Sequence, residues 1–170
     1  VGPLPPELAH LPLVSIDFLT NKISGSLPEE IATMTSLNYL NLGYNRLTGT
    51  VPPQLGNLRQ LTYLMMDNND LTGTIPPELG KLTQLSGWLS LEGNDLHGTV
   101  PASFAALTNA TWIYLNANNL TGSVEFLCDA LQPVEGPGYT NDTSTSPLLE
   151  LWVDVDDVNC TCCNCCPLFE

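Results

Sequence analysis

The most reactive side chains of this 170-residue chain are six cysteines. Cys160, Cys162, Cys163, Cys165 and Cys166 fall within seven residues, and Cys128 precedes Cys160 by 32. Thiolates at CxC and CxCC spacing can gather a metal ion, but in an oxidising compartment the same set closes disulfides. Four sequons accompany them: Asn109-Ala110-Thr111, Asn119-Leu120-Thr121, Asn141-Asp142-Thr143 and Asn159-Cys160-Thr161. Secreted chains accept glycans at such sites, and secretion goes with oxidised thiols. Three disulfides and no metal are therefore expected, with Cys128 closing a long loop onto the tail cluster. The sequence does not choose among the possible pairings.

Catalytic chemistry finds little support. His10 and His97 stand far apart, and no motif surrounds a serine or cysteine nucleophile. Glu29-Glu30 and the run Asp154, Asp156, Asp157 read as solvated acids, and the aspartates lack the spacing and glycine of a calcium loop. No enzyme activity and no cofactor are expected. Four Lys plus Arg against eighteen Asp plus Glu give a net charge of −14, so polyanions would be repelled and nucleic acid is excluded as a partner. No apolar run reaches the length of a bilayer span, and the start Val1-Gly2-Pro3 lacks the basic and apolar regions of a signal peptide. The expectation is a soluble extracellular segment with any leader or anchor already absent and an N-terminus that is trimmed or lacks its cap.

The elements that position these residues follow one clock. Asn21, Asn45, Asn69, Asn94 and Asn118 are separated by 24, 24, 25 and 24 residues; Gly25, Gly49, Gly73, Gly98 and Gly122 keep the same steps. Pro28, Pro52, Pro76 and Pro101 do so too. Each unit reads LxxLxLxxNxL and then TGxxP, as in Leu61, Leu64, Met66, Asn69 and Leu71 followed by Thr72-Gly73 and Pro76. The LxL step is a short strand that turns two apolar side chains to one face and the residue between them to the other. One unit cannot bury its apolar face alone, so the units must stack into a parallel sheet over a continuous core. The recurring Asn then faces inward, where an amide that donates and accepts can satisfy buried backbone. This structural ladder comprises Asn21, Asn45, Asn69, Asn94 and Asn118.

Two departures interrupt the clock. The first unit is partial. The fourth carries one extra residue in Leu85-Ser86-Gly87-Trp88-Leu89, which predicts a glycine bulge and a local kink. Repeats occupy residues 1–126; residues 127–170 form a Cys-rich cap with an irregular loop over 131–147, and Leu148–Val155 is apolar enough to cover the open end.

The unit resembles the plant-type leucine-rich repeat found in ectodomains of receptor-like kinases and receptor-like proteins and in inhibitors of polygalacturonase. The CxCCxCC ending is similar to secreted or membrane-attached repeat proteins of diatoms and related algae. The resemblance implies a right-handed solenoid arc with a concave parallel sheet, a second short sheet beside it, short convex helical or 3-10 turns, and ligand binding on the concave or lateral surface. A co-receptor is a further partner that such families imply.

Strand positions alternating with core leucines should meet that ligand. Just before the first strand apolar stand Ser15, Tyr39, Tyr63, Trp88 and Trp112; between the two apolars stand Asp17, Asn41, Met65, Ser90 and Tyr114; the next outward set is Leu19, Gly43, Asp67, Glu92 and Asn116. Tyr39, Tyr63, Trp88 and Trp112 form an expected aromatic column, with Met65, Asp67, Glu92 and Tyr114 beside it. Aromatics give large contact area at small entropic cost, which suits a protein, peptide or glycan ligand. The alternatives are a structural or adhesive wall protein and an inhibitor of a secreted wall-degrading hydrolase.

Overall fold

The structure, a computed structural model, describes residues 2–130, 150–153 and 158–159. Its strands follow in chain order: β1 (Ser15–Asp17), β2 (Ser24–Gly25), β3 (Tyr39–Asn41), β4 (Arg46–Thr50), β5 (Tyr63–Met65), β6 (Asp70–Thr74), β7 (Trp88–Ser90), β8 (Asp95–Thr99), β9 (Trp112–Tyr114), β10 (Asn119–Ser123), β11 (Glu150–Trp152) and β12 (Val158–Asn159). The odd-numbered strands form one parallel sheet and the even-numbered ones a second. Each repeat thus supplies one strand to each sheet and returns through a 3-10 turn. These turns run over Pro6–His10, Glu29–Thr33, Pro53–Asn57, Pro77–Lys81 and Ala102–Ala106. The fold is the leucine-rich-repeat solenoid, and its first sheet lines the concave side.

Pro28, Pro52, Pro76 and Pro101 each stand immediately before a 3-10 turn in extended backbone, with φ between −65° and −67°. That is the angle the pyrrolidine ring imposes, so the proline sets the entry into the turn. Between turns and sheets lies the core. Leu37, Leu40, Leu42, Leu61, Leu64, Leu85, Leu89 and Leu91 are wholly buried, and Phe104 fills the space beneath the last turn. Each such side chain contributes about 1.5–3 kcal/mol relative to leaving it in water.

The inward-facing asparagines tie the layers together. Asn69 Nδ2 donates to Leu42 O at 3.0 Å, Met66 O at 3.2 Å and Asp67 O at 3.1 Å, while its Oδ1 accepts from Leu47 N at 2.9 Å. Asn94 and Asn118 repeat this pattern one and two layers on, and Asn45 one layer back. Asn21, in the first layer, is exposed and among the described residues donates to the Phe18 and Leu19 carbonyls of its own turn. The turn that these amides pin is tight: the residue before each ladder Asn is left-handed, with φ of 56° at Thr20, 54° at Tyr44, 53° at Asn68, 65° at Gly93 and 54° at Ala117. For a β-branched Thr20 that conformation is strained.

Both sheets run past residue 126. After the short helix α1 (Glu125–Ala130), β11 pairs with β9 and β12 with β10, so the C-terminal segment adds a layer to each sheet. Leu151 is wholly buried and Val153 nearly so, which closes the core beyond Ile113 and Leu115. Among the described residues no helix is long and apolar enough to cross a membrane.

Candidate ligand-binding face

The concave sheet presents its rows in the order its register dictates. Ser15 lies opposite Tyr39, Tyr39 opposite Tyr63, and Trp88 opposite Trp112. Asp17, Asn41 and Met65 stand opposite one another, as do Ser90 and Tyr114. The pairing of β5 with β7, however, begins only at Leu64 and Leu89, one pair later than in the neighbouring strands. Gly87 donates its N–H to Thr62 O at 3.0 Å and offers its carbonyl to Thr111 and Trp112 N–H groups at 3.2 and 3.3 Å. The N–H groups of Thr62 and Tyr63 use Asn38 O in the same way, so Gly87 holds the place of Thr62 and the added residue lies ahead of the strand, at Ser86; the glycine bulge expected in this strand is thus corrected.

The aromatic residues meet in two groups. Tyr39 and Tyr63 meet with ring centroids 5.5 Å apart at 46°. Trp88 meets Trp112 at 5.8 Å and 88°, and Tyr114 at 6.3 Å and 85°. A single continuous column is thus corrected to a tyrosine pair and a Trp-Trp-Tyr group. Trp88 is the most open of these rings, at 41% exposure, while Trp112, Tyr114, Tyr39 and Tyr63 are half-buried.

Met65 needs a correction too. It belongs to the concave middle row, yet it is only 6% exposed, and its row neighbours Asn41 and Ser90 are 4% exposed. Met65 therefore offers little of its own surface to a ligand. Asn41 is held in place by its own bonds, Oδ1 accepting from Gly43 N at 3.1 Å and Nδ2 donating to Tyr39 Oη at 3.4 Å.

The acids of the outward row are half-buried. Asp67 lies over Gly43, where a β-carbon would stand 2.7 Å from its Oδ1, and its Oδ2 accepts from Asn68 Nδ2 at 3.1 Å. Glu92 Oε1 accepts from Asn116 Nδ2 at 2.8 Å. The four basic residues, Lys22, Arg46, Arg59 and Lys81, all lie outside these three rows.

Sequence reasoning missed the sixth strand of this sheet. β11 sets Glu150 opposite Trp112 and Trp152 opposite Tyr114. The alternation of Leu149, Leu151 and Val153 with Glu150 and Trp152 carried that signal without the ladder Asn that marks the other units.

The remaining candidates scatter. His10 ends the first 3-10 turn and His97 sits in β8, both exposed. No group of three His, Cys, Asp or Glu that could hold a metal occurs among the described residues. Asn109 and Asn119 are exposed, Asn109 donating Nδ2 to Thr83 O at 2.9 Å and Asn119 opening β10. Cys128 and Asn159 fall in α1 and β12, whereas Cys160, Cys162, Cys163, Cys165, Cys166 and Asn141 lie outside the described residues.

Comparison with known proteins agrees with this geometry. The leucine rich repeat family model matches residues 13–71. The LRR ectodomain of the plant membrane receptor kinase GASSHO1/SCHENGEN3 from Arabidopsis thaliana, solved in complex with CASPARIAN STRIP INTEGRITY FACTOR 2, is 31% identical over 92% of this chain and 17% of its own, with a TM-score of 0.77. The Arabidopsis receptor kinase HAESA, solved with the peptide hormone IDA and the co-receptor SERK1, is 30% identical over 92% of this chain and 24% of its own, also at 0.77. A plant ice-binding protein is 38% identical over 72% of this chain and 40% of its own, at 0.69. The chain therefore spans less than half the length of each of these structures. No curated protein matched it. The chain is a leucine-rich-repeat protein whose repeats are of the plant type.

Proposed function

We propose that the chain is an extracellular recognition module that holds a protein, peptide or glycan ligand against its concave sheet and performs no chemistry on it. The observation that carries this reading is Trp88, a tryptophan left 41% exposed on the concave sheet beside the half-buried rings of Trp112 and Tyr114. An exposed aromatic flanked by half-buried rings is the composition of a binding centre. The two receptor ectodomains solved with CASPARIAN STRIP INTEGRITY FACTOR 2 and with a peptide hormone favour a peptide over a glycan, and the HAESA complex allows a co-receptor as second partner. The sequons and the even cysteine set support an extracellular setting with three disulfides. Selection of peptides from a displayed random library, followed by hydrogen exchange on the selected complex, tests the reading. Protection is expected in β3, β5, β7 and β9. Protection confined to the 3-10 turns would end it.

A second reading rests on the other sheet. Thr50 stands opposite Thr72 and Thr99 opposite Thr121, all four exposed. The methyls of Thr50 and Thr99 lie beside Gly73 and Gly122, where a β-carbon would come within 2.9 Å of each, so these threonines have little rotational freedom. Each pair sets methyl and hydroxyl groups one strand spacing apart, about 4.8 Å, and such pairs can order water, although Asp95 follows Thr72 in its row. The similar plant ice-binding protein favours adsorption to ice through this face. Ice recrystallisation assays with the parent chain and Thr72→Lys decide it; inhibition that Thr72→Lys abolishes is the expected result.

A further inference from the structure

We propose that Trp88, Trp112 and Tyr114, with the Glu92 carboxylate beside them, form an open cage for a cationic side chain of the ligand, arginine in first place. The inference rests on the concave reading and names what that face recognises. Trp88 stands nearly perpendicular to both Trp112 and Tyr114, at 88° and 85°. Rings at right angles build a corner. A sugar stacks best on a flat platform, whereas a compact cation gains from two ring faces at once, because each aromatic face carries negative charge density. On the β5 side the ring of Tyr63 lies over Gly87, while Trp88 is paired with Trp112.

Charge favours the same occupant. Trp88, Ser90 and Glu92 alternate along one face, so Glu92 lies one pleat pair, about 7 Å, beyond the row of Tyr114. Its Oε1 accepts from Asn116 at 2.8 Å, and its Oε2 has no protein partner among the described residues. A planar guanidinium can stack on one ring and give N–H groups to a carboxylate, which a lysine ammonium does less well. Asp17 and Asp67 add negative charge along the sheet, none of the four basic residues lies in its rows, and the whole chain carries −14. A cation thus meets attraction from near and far.

The test uses acetyl-Arg-Arg-Arg-amide as probe, followed by amide and indole NMR shifts, with the citrulline tripeptide as its neutral counterpart. Shifts are expected at residues 88–92 and 112–116 with the arginine probe and not with citrulline. Trp88→Ala and Trp88→Leu, which both remove the ring while the second keeps bulk, should each weaken binding about tenfold. Glu92→Gln should weaken it and reduce its salt dependence, whereas the convex double variant Glu29→Gln, Glu30→Gln should leave it unchanged. Equal binding of citrulline, or no effect of either Trp88 variant, overturns the cage. Shifts centred on Tyr39 and Tyr63 would overturn it while leaving the concave reading standing; shifts confined to the convex turns would remove both.

Discussion

The ring of Tyr63 occupies the space over Gly87 that a side chain would need: a β-carbon there would lie 2.2 Å from Cε1 and 2.4 Å from Cζ. Gly87 fits beneath this ring because it has no side chain. Gly87→Ala must therefore displace either the ring or the backbone ahead of β7. A loss of about 1–3 kcal/mol is expected in urea unfolding, as for other overpacked sites. Adding Tyr63→Ala to Gly87→Ala should recover part of it, because the clash is then gone. Equal stability of Gly87→Ala and the parent chain would show that Tyr63 moves aside at no cost.

The ladder makes a graded prediction. Asn69 is buried and makes four hydrogen bonds across two repeats, whereas Asn21 is exposed and makes two within its own turn. Asn69→Ala leaves the Leu47 N–H and the Leu42 carbonyl without this partner, and a buried group left unsatisfied costs about 1–3 kcal/mol. Asn21→Ala should stay within about 0.5 kcal/mol of the parent. Chemical denaturation of the two variants side by side checks the contrast; similar losses would mean that the ladder carries no special weight.

The ladder is also where the sequence was most legible. Five asparagines on one clock, with leucines at fixed offsets, leave few ways to bury an apolar face, and the sheets and the convex turns follow from them; the added residue of the fourth unit is visible too, but it lies ahead of the strand and makes no bulge in it. The face itself was less legible. Alternation says which way Met65 and Trp88 point but not how far neighbouring rings lean, so Met65 is covered and Trp88 is not. Nor does alternation report the left-handed turn before each ladder Asn, since Thr20, Tyr44 and Ala117 hold it without glycine. β11 escaped notice because it joins the sheet after the clock has stopped.

Glycan occupancy separates the two faces. Asn119 opens β10 and is exposed, so a glycan there would overhang the lateral sheet carrying Thr99 and Thr121. Peptide mapping of the chain secreted from a eukaryotic cell should find glycans at Asn109 and Asn119. An occupied Asn119 favours the concave reading over ice adsorption, because the threonine lattice would be shielded. Asn119→Gln should then leave ligand binding unchanged, as the concave rows lie on the other sheet.

Trp88 and Trp112 distinguish a binding face from a mere cover. They touch each other at 5.8 Å, but Trp88 is 41% exposed and Trp112 half-buried. If the rings serve the ligand, Trp88→Ala should change stability by no more than about 0.5 kcal/mol, since little apolar area leaves the core. The same change should cost about 2 kcal/mol of affinity, roughly 30-fold, for a peptide obtained by selection. Trp112→Ala should cost similar affinity and about 1 kcal/mol of stability besides, because its half-buried ring also covers the sheet. Melting curves and titration calorimetry on both variants read the two effects separately. Loss of folding in Trp88→Ala with undiminished affinity in the fraction that remains folded would make these rings a lid on the sheet and move the binding surface elsewhere.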